Sequence, residues 1–78
     1  MNYILSTALD AIAAQRPNLT SWCEDKRHAL ADADKLEALR WIVFKLDASN
    51  RGIAAKALGV RAEDLEPQSA LGRVLRAI

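Results

Sequence analysis

The sequence holds one cysteine, Cys23, and one histidine, His28, in 78 residues. A lone cysteine cannot close an internal disulfide, so no covalent staple is expected and a reducing setting, the cytoplasm, fits best. Zinc sites draw on three or four Cys, His or carboxylate ligands, and no second Cys or His is present to build one. Cys23 and His28 lie about 140° apart around a helix, too far to share one nucleophile–base site. Glycines are few, and no glycine-rich phosphate loop or nucleophile elbow is formed. The expectation is no catalytic residue, no metal ligand set and no cofactor. Cys23 reads as a small core residue and His28 as a solvated one.

Long apolar runs and an excess of one charge are missing too. Nothing approaches the roughly 18 apolar residues of a membrane span. The opening MNYILSTALDAIAAQR has no basic residue ahead of its apolar part and is interrupted by Ser6, Thr7 and Asp10, so it is expected to belong to the fold and not to a signal peptide. Eleven Lys and Arg face ten Asp and Glu, 11 against 10, and the net charge of +1 gives no general pull towards polyanions.

What is present is helix-forming. No stretch alternates apolar and polar residues, while Ala, Leu, Glu, Lys and Arg dominate. The fold class is therefore all-α, a single compact bundle of four to five short helices over residues 1–78. Ile4, Leu5, Ala8, Leu9, Ile12 and Ala13 share one face of a first helix, ended by Arg16, Pro17 and Asn18. A second helix begins near Thr20 or Ser21, with Ser21 and Glu24 as a capping box. Its buried side is Leu19, Trp22, Cys23, Ala29 and Leu30, with Lys26 inside the stripe packing its stem and extending its ammonium to water. After a break near residues 31–33, a third helix runs from Asp34 to Leu46, capped by Asp32 or Asp34. As the most apolar segment it is expected at the centre, with Leu36, Leu39, Ile42, Val43 and Leu46 as its stripe. A fourth helix, capped by Ser49 or Asn50, buries Ile53, Ala54, Ala57 and Leu58 and stops at Gly59. A fifth opens at Pro67 and buries Ala70, Leu71, Val74, Leu75 and Ile78, with Arg73 and Arg76 pointing away.

The segment GIAAKALGVRAEDL, residues 52–65, resembles parts of bacterial and phage regulators. Through Ala55, Leu58, Gly59, Val60 and Leu65 it resembles a helix-turn-helix, which would carry Arg61 to about Gln68 into the major groove. Through Ile53, Ala54, Ala57, Leu58, Gly59, Val60 and Leu65 it is similar to the core-packing segment that follows the DNA-reading helices of lambda-repressor-like domains. A reading that needs neither family takes Gly59 as a left-handed helix stop, Val60 as folding back on the last turn and Leu65 as docking a short helical turn on the core.

Glu24, Asp25, Lys26, Arg27 and His28 mix signs and form a solvated face, with Glu24 and Arg27 paired. The slight basic excess is C-terminal, in Arg51, Lys56, Arg61, Arg73 and Arg76; these are the contact residues if the protein binds DNA, although no aromatic residue is interleaved for base stacking. Trp41 and Phe44 project away from the third helix's stripe, towards the sector of Glu37. They either complete the core or, with Glu37 and Lys45 as a charged rim, form a hot spot for another protein or for a second copy in a homodimer. The leading expectation is a small non-enzymatic regulator or inhibitor of bacterial or phage type acting by protein–protein contact; the alternative is a helix-turn-helix-like DNA-binding regulator.

Overall fold

The computed structural model describes residues 2–78 and contains five α-helices: α1 (Tyr3–Gln15), α2 (Thr20–Ala29), α3 (Lys35–Phe44), α4 (Ala48–Leu58) and α5 (Ala70–Ala77). Short 3-10 helices, Pro17–Leu19 and Ala62–Leu65, lead into α2 and towards α5. The all-α bundle expected from composition is what forms, with no strand among the described residues.

α1 is the central helix. It packs most extensively on α4 and also meets α2 and α3, and Leu5, Ala8, Leu9 and Ile12 are fully buried along one side of it. The expectation that α3 would be central is corrected. α1 carries a single charged residue, Asp10, and so can be surrounded, whereas Lys35, Glu37, Arg40 and Lys45 on and beside α3 must keep their charges in contact with water. Asn2 fixes the start of α1 and ties it to α3. Its side-chain oxygen accepts from the Leu5 amide at 2.9 Å, and its Nδ2 donates to the Ala33 and Asp34 carbonyls at 2.9 and 3.1 Å.

The starts of α2 and α3 fall where the sequence suggests, but the caps of α2 and α4 do not. Pro17 begins a helical turn, where its missing amide hydrogen is no loss, so Ser21 lies inside α2 and no capping box forms; Thr20 Oγ1 donates instead to the Pro17 carbonyl at 2.7 Å. Asp34, one of two residues expected to cap α3, does so through the Glu37 amide at 2.8 Å. The cap of α4 is Asp47, which accepts from the Asn50 amide at 2.7 Å, and not Ser49 or Asn50. Within α4, Ala54 and Ala55 are buried and Ala57 is exposed, a one-position shift of the inward face. Ala29 of α2 and Leu36 of α3, both expected inside, are exposed.

Gly59 ends α4 at φ 77°, in the left-handed region glycine tolerates. The Gly59 and Val60 amides return to the carbonyls of Lys56 and Ala55, at 3.2 and 3.0 Å. Leu65, on the second 3-10 helix, is buried in the core as expected, while the Val60 side chain stays exposed. α5 departs most from expectation. It opens at Ala70 and not at Pro67, and Ser69 caps it through the Gly72 amide at 3.0 Å. Leu75 and Gly72 are buried, whereas Ala70, Val74 and Ile78 are exposed. The reason is Gly72, where any Cβ would run into the Pro67 carbonyl. A residue without a side chain lets backbone seat on backbone, and α5 turns towards Gly72 and Arg76, away from Val74 and Ile78.

Candidate functional site

α3 presents Ala38, Ile42, Val43 and Leu46 to the core, or just beyond its last turn in the case of Leu46. At 100° per residue, Glu37, Arg40, Trp41 and Phe44 fall on the opposite half of the helix. No element lies squarely across that half. On it, beside Leu30 at the end of α2, is an open cleft of about 340 Å³ lined by Leu30, Glu37, Arg40, Trp41, Phe44 and Lys45. A second opening of about 220 Å³, lined by Arg40, Phe44, Leu75, Arg76 and Ile78, shares two residues with the first. Trp41 and Phe44 are therefore partly buried, packed on the core at their bases and reaching the surface.

The rings are held in place by neighbours. Trp22 of α2 lies against Trp41 with centroids 6.0 Å apart and planes inclined at 32°, within the range of favourable aromatic pairs. Lys26 Nζ stands 5.8 Å from the Trp22 ring centre, so the lysine inside the apolar stripe of α2 covers an aromatic face as its stem packs. On the other side, Arg76 Cζ lies 5.3 Å from the Phe44 ring centre. Its guanidinium also donates to the Pro67 carbonyl at 3.3 Å. The expectation that Arg76 points away from the bundle is thus corrected, and it is the rotation of α5 about Gly72 that brings it over Phe44.

The four residues singled out in the sequence, Glu37, Trp41, Phe44 and Lys45, are brought together on one cleft. Sequence reasoning missed Leu30, Arg40 and Arg76. Arg40 had an available signal, since it lies four residues before Phe44, the spacing of side-chain neighbours on a helix. Arg40 Nε is buried and lacks a hydrogen-bond acceptor among the described residues. The ion pairs among the described residues are Arg27 with Asp10 and Glu24, and Arg61 with Glu63. Arg40, Lys45 and Arg76 have no carboxylate partner there.

The five cations weighed for DNA contact have separate surroundings. Arg51 donates to the Leu46 carbonyl at 3.1 Å and more distantly to Val43, closing the last turn of α3. Arg61 pairs with Glu63 and Arg76 covers Phe44. Lys56 and Arg73 are exposed, on α4 and α5. Residues 61–68 form the 3-10 helix Ala62–Leu65 and a following turn.

His28 is exposed, and Cys23 is buried on the inner face of α2. Burial pushes the Cys23 thiol above its ordinary pKa; the nearby Arg27 guanidinium opposes that rise, and Glu24 and Asp10 add to it. No helix is long and apolar enough to cross a membrane among the described residues. Comparison with protein-family models, with curated proteins and with solved structures finds no match to this chain.

Proposed function

We propose that this chain is a small non-enzymatic regulatory or inhibitory protein that acts by holding another protein on the outer half of α3. The observation that carries this reading is the open apolar cleft with Trp41 and Phe44 in its wall and charges at its edge. Large rings that are immobilised at the base and open at the top are the kind of residue on which binding free energy concentrates, because a partner covers them without first ordering them. A charged rim contributes register and selectivity.

Comparative capture tests the reading. Wild type, Trp41→Ala, Phe44→Ala and a distant Val60→Ser control are immobilised and exposed to the same extract, with folding of each checked by circular dichroism. A protein held by wild type and Val60→Ser and lost from both cleft variants supports the proposal. Equal retention by all folded forms, or retention by none, overturns it. Size in solution completes the test: a dimer that Trp41→Ala dissociates would make the captured protein a second copy of this chain. DNA binding through residues 50–78 is the alternative, supported by the likeness of residues 52–65 to bacterial and phage regulators. Its test is a salt titration on random-sequence duplex, where DNA contact gives a steep loss of affinity with salt.

A further inference from the structure

We infer that the occupant of the cleft is an acidic amphipathic helix, whose apolar side chains enter the two adjoining openings while its carboxylates meet Arg40, Lys45 and Arg76. This rests on the protein-binding reading above and specifies the partner's chemistry. Three observations carry it. The openings share Arg40 and Phe44 and so adjoin, which places both within reach of neighbouring side chains on one face of a bound helix. Their edges are unbalanced in charge, with Arg40, Lys45 and Arg76 against Glu37 alone. None of the three cations is neutralised by an acidic group of the described residues.

The architecture narrows the binding mode. No strand is present among the described residues, so a partner cannot add itself to a sheet edge, and recognition falls to side chains in a groove. A lysine-flanked helix would bring cations against three cations and be rejected. Arg40 is then the residue that selects the partner, and Trp41 and Phe44 are the residues that hold it.

The probe is a library of random 16-residue peptides displayed on phage and panned on the full chain. A helix of that length spans about 24 Å, the middle dimension of the 32 × 24 × 18 Å molecule. Enriched sequences are synthesised with a fluorescent label and measured by anisotropy. The expected result is peptides with large apolar residues three or four apart flanked by Asp or Glu. Their binding should weaken about tenfold with Arg40→Gln or Arg76→Gln, weaken with added salt and vanish with Trp41→Ala. Replacing their carboxylates by Gln should weaken binding to wild type and remove the effect of Arg40→Gln.

Enrichment of proline-rich or uncharged peptides, lost with Trp41→Ala and indifferent to Arg40→Gln, overturns the acidic-helix inference and leaves the cleft reading standing. Peptides indifferent to both substitutions, or no enrichment at all, overturn both. Using two arginine variants guards against a fault in folding, since Arg76 lies on α5 and Arg40 on α3.

Discussion

The α1–α4 side and the α3–α5 side are built from similar material, short helices rich in Ala and Leu, yet one is closed and the other open. On the first, Ala8 of α1 and Ala54 and Ala55 of α4 are buried beside Leu5, Leu9 and Ile12. Small residues there let two helices approach until no ring or long cation is needed to fill the gap. On the second, α5 is short, is seated through Gly72 and Leu75, and leaves Val74 and Ile78 exposed at 57% and 63%. The space beside it is bordered by Trp41, Phe44 and arginine side chains instead of being filled by a helix. Closeness of backbone approach, more than hydrophobicity, decides which side is sealed.

The largest expected effect comes from opening the closed side. Leu9→Ala should cost about 3 kcal/mol, as full-burial leucine truncations do, and Phe44→Ala on the open side about 1 kcal/mol, because part of that ring is already wet. Urea denaturation of the two variants checks the contrast, and equal losses would erase it. Next is Gly72→Ala. The new methyl collides with the Pro67 carbonyl, and a cost of about 2 kcal/mol is expected, centred on α5. Hydrogen exchange should show α5 amides unprotected while those of α1 and α4 remain slow. Asp47→Ala removes the N-terminal side-chain cap of α4 and should cost about 1 kcal/mol in thermal unfolding.

Gly52→Ala works in the opposite direction. A Cβ there meets nothing within 4 Å, and removing a mid-helix glycine should stabilise the chain by about 0.7 kcal/mol. The smallest effect is in alkaline solution. The folded chain holds the Cys23 proton more tightly than the unfolded chain, so this contribution is complete below the ordinary thiol pKa and is lost as the pH rises through the folded value. Cys23→Ala should flatten that decline in a stability–pH profile.

Much of this was legible in the sequence where a feature is periodic or local. The inward face of α1, the Asp34 cap, the stop at Gly59, the docking of Leu65 and the outward throw of Trp41 and Phe44 all follow from helical spacing or from backbone preference. Caps are ambiguous in the sequence where two or three polar residues compete within one turn, as at Asp47, Ser49 and Asn50, because which of them is extended depends on the approach of the preceding chain. The face of α5 is hidden in the sequence because glycine is silent in an apolar pattern, although Gly72 is one of its two buried positions. The contacts of Arg51 with the end of α3 and of Arg76 with Phe44 are not legible in the sequence, since the reach of a long side chain across helices is a tertiary fact.

Arg51 has a mechanical consequence. Planted near the start of α4 and bonded to carbonyls at the end of α3, it stiffens the corner between the two rods. The pitch at which α3 carries its rings is thereby borrowed from the tightly fitted pair behind it. On the protein-binding proposal, a visitor to those rings would meet a surface already set to shape and would surrender little motional freedom on arrival.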